Sequence, residues 1–261
     1  MSREFTVAAV DIRLRGVDSL GDGPPLLFLN GGFSTRRQWN RVIDRLGGGY
    51  RTVTFDGRTS GGPGTPAEYA VRDAIDDVDR VIEATVLRRP ILVGWSHGAT
   101  IAVCYAAEYP EVVGGLVLVD GACPVSVLDE AGKDGVREAF RRSGRLTRVT
   151  ARLGGAPGLS PRQRAEAVIA TDEVNGQLAA DFASLRCPTA FVVGSGGHPE
   201  ASRERTRMLR AAARAEADNA QVTVFATTTA GRPAHVLARD ADLVAAAIHE
   251  VARRTTRLAV R

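Results

Sequence analysis

Short apolar runs, each followed by a stretch with helical spacing, organise the first half of the chain. Residues 25–29, 90–94 and 115–119 are nearly unbroken in Leu, Ile, Val and Phe. Runs of that length predict strands covered on both faces. Residues 51–55 form a further strand ending at Asp56. Between the strands, 35–46 sets Trp39, Val42, Ile43 and Leu46 on one stripe, and 67–87 does the same with Ala74, Val78, Val81 and Ile82. Residues 5–10 and 11–17 read as an antiparallel hairpin at a sheet edge. Alternation of this kind predicts an α/β fold, a parallel sheet with helices on both faces.

The rhythm then breaks. Residues 124–184 hold no strand pattern and are rich in Arg, Gly and Ala, with helical fragments near 127–147 and 161–184. Alternation resumes with a strand at 188–193, a helix over 199–217, a strand at 222–225 and a helix over 239–254. The division expected is a core domain of 1–123 and 185–261, with 124–184 as a helical cap insertion. The cap would lie over the C-terminal ends of the strands, where open α/β sheets bind ligands.

A length of 261 residues suits one such domain and its insertion, with a core that needs no disulfide or metal. The 34 bases and 30 acids leave a net charge of only +4, and the arginines are scattered, so a nucleic-acid footprint is not expected. The odd number of cysteines (Cys104, Cys123, Cys187), each in or beside an apolar segment, predicts reduced, buried side chains. No apolar run reaches membrane-spanning length and the N-terminus lacks an apolar signal core, so a cytoplasmic protein without membrane association is expected. No His/Cys/Asp cluster has metal-ligand spacing, and Gly194-Ser195-Gly196-Gly197 lacks the dinucleotide fingerprint, so no cofactor is expected.

Chemistry enters with Gly94-Trp95-Ser96-His97-Gly98, between the strand at 90–94 and a helix-favouring stretch. Strand, tight turn and helix are the context in which Gly-x-Ser-x-Gly makes a nucleophile elbow. The turn tips the serine hydroxyl out of the sheet, and the flanking glycines are needed because a Cβ would collide with neighbouring strand or helix. Ser96 is therefore the candidate nucleophile. A serine hydroxyl needs a base within hydrogen-bond reach, and the chain has four histidines to supply one.

With the elbow, the strand order and the insertion, the chain resembles the α/β-hydrolases, a family of esterases, lipases and enol-lactonases, over nearly its whole length. Three further segments carry the likeness. Leu29-Asn30-Gly31-Gly32-Phe33 is similar to the family's oxyanion segment, with Asn30 where His is usual. Asp56-Gly57-Arg58-Thr59-Ser60-Gly61-Gly62 resembles its Asp-x-Arg-Gly-x-Gly loop. Gly231-Arg232-Pro233-Ala234-His235 stands where the family places its catalytic histidine. The resemblance implies a mostly parallel eight-stranded sheet, His235 as general base, and oxyanion donors from Gly32, Phe33 and the amide of His97, whose side chain would point away. Asn30 would hold its loop in shape, and Asp56 and Arg58 would form a structural turn network.

The acid departs from the family's pattern. Glycine, Gly197, occupies the usual acid position after the strand that follows the insertion. Asp120, after the strand preceding it, stands where a minority of members carry the acid; Glu200 is the alternative. Serine rather than aspartate at position 96 separates the chain from the epoxide hydrolases and haloalkane dehalogenases of this fold. It implies acyl transfer on a small-molecule ester or lactone. A lyase, cyclase or perhydrolase on the same scaffold, or a catalytically silent binding protein, are the competing readings.

Overall fold

The computed structural model describes residues 2–60, 69–151, 159–194, 199–228 and 236–259. Its eight strands are β1 (Arg3–Ala8), β2 (Arg13–Asp18), β3 (Pro25–Leu29), β4 (Arg51–Asp56), β5 (Ile91–Trp95), β6 (Gly115–Val119), β7 (Thr189–Val193) and β8 (Val222–Thr227). They form one sheet in the order β1-β2-β4-β3-β5-β6-β7-β8. The β1–β2 hairpin joins antiparallel through β4, and every other pairing is parallel. The eight-stranded, mostly parallel α/β sheet expected from the sequence is therefore present.

The unbroken apolar runs have a simple cause. Successive side chains leave a strand on opposite faces, and here both faces are covered. Leu27, Leu29, Leu92, Leu116, Leu118 and Phe191 enter one core layer. Leu26, Phe28, Val93, Val117, Val119 and Val192 enter the other. Helices α2 (Val71–Thr85), α3 (His97–Glu108), α6 (Ala179–Ser184) and α7 (Pro199–Asp218) contribute to the first layer. Helices α1 (Asn40–Arg45), α8 (Val236–Arg239) and α9 (Ala241–Ala259) contribute to the second. The stripe expected over 35–46 is split between a 3-10 turn, Arg36–Trp39, and α1, with Trp39, Val42 and Leu46 buried as the spacing implied.

Between β6 and β7 run α4 (Glu130–Ala151), α5 (Pro161–Asn175) and α6. The start of α5 is set locally. Ser160 Oγ accepts from the Gln163 amide at 3.3 Å while Gln163 Oε1 accepts from the Ser160 amide at 2.8 Å, and Pro161 fills the first helical position. Asp172 of α5 accepts from Ser126 Oγ at 2.6 Å and from the Val127 and Leu128 amides at 2.8 and 3.2 Å. From the opposite side Arg207 of α7 donates to the Ser126 carbonyl at 2.6 Å and the Val127 carbonyl at 3.3 Å. The chain leaving β6 is thus clamped by both its amides and its carbonyls. Helix α6 stacks Phe182 on Phe191 of β7, ring centroids 5.1 Å apart.

Asp56 and Arg58 are both structural, but in two networks. Asp56 accepts from the amide and guanidinium of Arg36. Arg58 makes a two-pronged pair with Asp77, 2.9 and 3.0 Å, and reaches Asp11 and Asp73. Both Arg58 and Asp77 are buried. Arg58→Ala would leave the buried Asp77 carboxylate with only the longer contact to Arg80, 3.7 Å, and is expected to cost about 3 kcal/mol. Asp77→Asn in that background should recover part of the loss, and urea unfolding of the three variants checks both statements.

Candidate active site

Strand order creates the site before any side chain is considered. The chain passes from β3 to β4 on one side and then crosses to β5 on the other. The loops after β3 and β5 therefore diverge, opening the crevice that such sheets use for ligands. Ser96 stands at that point with φ 50° and ψ −116°, and its amide donates to the Val119 carbonyl of β6 at 2.8 Å. A Cβ on Gly94 would lie 2.5 Å from the Ala99 Cα, and one on Gly98 would lie 2.3 Å from the Leu29 carbonyl oxygen. The first helical turn of α3 thus rests directly on the end of β3, an approach that only glycine permits. Phe33, Ser96, Asp120 and Ala122, all at strand ends around the crevice, have positive φ. Strained backbone of this kind clusters at active sites and ligand clamps.

The oxyanion segment takes shape from Asn30. Its Nδ2 donates to the Phe55 carbonyl at 2.8 Å, and its Oδ1 accepts from Trp39 Nε1 at 3.1 Å. Asn30 therefore holds the loop between β3 and β4. Gly32, Phe33 and His97 all line one cavity with Ser96. Among the described residues their amides are engaged by no other backbone group. The Phe33 ring meets Phe140 of α4 edge-on at 5.6 Å, and the Arg164 guanidinium lies over it at 5.3 Å.

The His97 side chain is tied to two other parts of the chain. Its Nε2 lies 2.6 Å from the Tyr69 hydroxyl and its Nδ1 3.0 Å from Thr171 Oγ1. Neither partner is near in sequence, so no local signal announced them. Burial among these groups pushes the His97 pKa down to about 4 and that of Tyr69 up. With both ring nitrogens occupied, His97 is a poor candidate for a base. His249 bonds the Tyr50 hydroxyl at 2.8 Å and does not line the cavity. His235 and His198 lie outside the described residues, as do Gly197 and the Glu200 side chain.

Asp120 directly follows β6, its amide held by the Val192 carbonyl of β7 at 2.8 Å. Its carboxylate leans over β7. A Cβ on Gly194 would come 1.6 Å from Asp120 Oδ1, so the carboxylate occupies the space that a side chain at 194 would fill. Burial, and next the charge of Glu204, pushes the Asp120 pKa up to about 7. Glu204 of α7, one turn beyond Glu200, also lines the cavity. The sequence reading missed Glu204; its i+4 relation to Glu200 was the available signal.

The cavity encloses about 460 Å³. Val125, Val127, Leu128, Phe140, Val168 and Met208 supply most of its apolar wall, and among the described residues its charged lining groups are the carboxylates Asp120, Asp172 and Glu204. Three of the insertion's arginines are engaged by acids of α4 and α5, and the side chains of Arg145, Arg148 and Arg152 lie outside the described residues. Arg137 pairs with Asp134 and Glu166, and Arg141 and Arg142 pair with Glu138. Cys123 lines the cavity as a buried free thiol, Cys187 is buried and Cys104 half-buried. Among the described residues no metal-binding cluster occurs, and no helix is long and apolar enough to cross a membrane.

Residues 24–190 match the family model described as alpha/beta hydrolase fold. Over 121 residues, 46% of the chain, it is 31% identical to the 2-(acetamidomethylene)succinate hydrolase of Mesorhizobium japonicum, covering 42% of that protein. It is 32% identical to the pimeloyl-[acyl-carrier protein] methyl ester esterase of Nitrosomonas europaea over 107 residues, 40% of the chain and 39% of that protein. The chain thus spans less than half the length of these relatives. An esterase structure from Exiguobacterium antarcticum superposes with a TM-score of 0.72 at 18% identity, covering 96% of this chain and 100% of that one.

Neutral His97 makes stability depend on acid. Its folded pKa of about 4 lies below the ordinary value of about 6.5, so the unfolded chain binds the extra proton between those limits. Stability from this group is complete above about pH 6.5 and is lost as pH falls towards 4, by up to about 3 kcal/mol. His97→Gln should show a shallower loss between about pH 7 and 4.5 in urea unfolding.

Proposed function

The chain belongs to the alpha/beta hydrolase fold family, and we propose that it is a serine hydrolase cleaving a small carboxylic ester or lactone through an acyl-enzyme on Ser96. The observation that carries this reading is Ser96 in strained backbone at the switch point, sharing one cavity with Gly32, Phe33 and His97, whose amides no described backbone group engages. Helices α4 and α5 act as the cap that shapes the acyl pocket. The esterase and hydrolase named among the relatives support the same reaction class.

In this mechanism Ser96 Oγ attacks the ester carbonyl carbon while His235 takes the hydroxyl proton. The carbonyl oxygen becomes an oxyanion held by the His97 amide and by Gly32 or Phe33, donors each worth about 3–4 kcal/mol in the transition state. Collapse breaks the bond to the leaving oxygen, which takes the proton from His235. Water then attacks the acyl-enzyme with His235 again as base, and Ser96 regains its proton as the carboxylic acid departs. Asp120 orients the imidazole and stabilises its charged form.

Intact mass after incubation with a fluorophosphonate should show one adduct, absent in Ser96→Ala. Asp120→Asn should slow ester turnover by roughly 10⁴-fold, the loss a triad suffers without its carboxylate. If Glu200→Gln is slow instead and Asp120→Asn is not, the acid is Glu200. No adduct on folded wild type would redirect the search to non-hydrolytic chemistry or binding.

The pH profile carries a further prediction. Asp120 serves only when ionised, and its carboxyl titrates near 7 rather than in the usual range near 4. The value of kcat/KM should therefore fall as pH drops through about 7, a limb belonging to the Asp–His pair as a unit. Glu204→Gln removes the neighbouring negative charge and should move that limb to lower pH.

A further inference from the structure

The His97 ring joins three parts of the chain. It sits on the nucleophile turn, takes one contact from Tyr69 just ahead of α2, and another from Thr171 of α5. The Thr171 hydroxyl donates its only proton to the Ala167 carbonyl at 2.7 Å. Its oxygen is left to accept from His97 Nδ1–H, so Nε2 carries the lone pair that accepts from the Tyr69 hydroxyl. This is the arrangement in which each polar proton of the chain has an acceptor, and it requires the neutral Nδ1–H tautomer. One turn farther along both helices, Thr100 Oγ1 donates to Asn175 Oδ1 at 2.8 Å. Residues 97 and 100 share a face of α3, and 171 and 175 share a face of α5. The two helices are therefore joined by polar links beside the nucleophile.

We propose that His97 is a positioning residue: its imidazole, fixed between Tyr69 and Thr171, orients the Ser96–His97 peptide whose N–H stabilises the oxyanion, and couples that peptide to the α5 wall of the acyl pocket. The proposal rests on the hydrolase reading for its kinetic consequence. The wall in question is Ala167, Val168 and Thr171, all of which line the cavity with Ser96. An unclamped ring would let the donor drift from the point where charge develops. Misplacing a preorganised donor lowers the rate of the chemical step while leaving ground-state binding intact.

Thr171→Val keeps the shape of the side chain and removes the acceptor; Tyr69→Phe removes the donor on the other side. Per active site titrated by fluorophosphonate, each should lower kcat on a neutral ester by about tenfold with KM little changed. Thr171→Ser, which retains the hydroxyl, should recover most of the rate. In a His97→Ala background neither substitution should have a further effect, because both act through the ring. A Thr171→Val enzyme with wild-type kcat, or effects that remain additive without the imidazole, overturns the proposal. A merely structural contact would lower stability without this non-additivity. If wild type takes no phosphonate, the hydrolase reading fails separately, and ¹⁵N NMR of the imidazole decides the network. A protonated Nδ1 with an unprotonated Nε2, lost in Thr171→Val, supports it, and the opposite tautomer overturns it.

Discussion

The contact on which the rest of the molecule depends is the seating of α3 on the end of β3. Gly98 touches the Leu29 and Asn30 carbonyls, and Gly94 touches the backbone of Ala99. Because no side chain separates helix from sheet, the turn at Ser96 is forced into its strained angles. The amide of residue 97 is thereby brought to the same crevice as the loop after β3. Nothing in that loop could help the nucleophile if the helix stood off by the width of a methyl group. Packing density and chemistry are one constraint here, and the unbroken burial of α3 from Gly98 to Val103 shows how far it extends.

Most of the fold was legible because its signals are local. Strands buried on both faces have no polar side to hide, so β3, β5, β6 and β7 stood out as apolar runs, and the elbow was readable from five residues. The parts that were not legible depend on residues far apart in sequence. Tyr69 and Thr171 meet the ring of His97 across separations of 28 and 74 positions, and neither has a pattern that foretells a histidine partner. Asp172 looks like any helix-face acid until it is seen accepting from Ser126, Val127 and Leu128. The resemblance places Arg58 and Asp56 in one turn network, yet the charge of Arg58 is met by Asp77, Asp11 and Asp73.

The distribution of charge around the cavity follows from which acids find partners. The arginines of α4 with described side chains are neutralised on the outer surface by acids of α4 and α5. Asp172 is satisfied by two amides and a hydroxyl. Asp120 and Glu204 remain facing the enclosed space, each raised by burial. Among the described residues of a chain with a basic overall balance, the charged groups around the serine are thus carboxylates.

The bare backbone at Gly194 has a consequence for how this scaffold can change over time. Asp120 and Ser96 directly follow neighbouring strands, β6 and β5, which are hydrogen-bonded along their length. On the proposed assignment, nucleophile and acid are carried by one rigid ladder, and β7 supplies only room. Residues 195–198 are then released from selection for a carboxylate at a fixed place. Substitutions or changes of length there need not dismantle the reaction centre, provided that position 194 stays a glycine. A single absent methyl group would thus mark the boundary between the part of the molecule that evolution must hold still and a part it is free to rewrite.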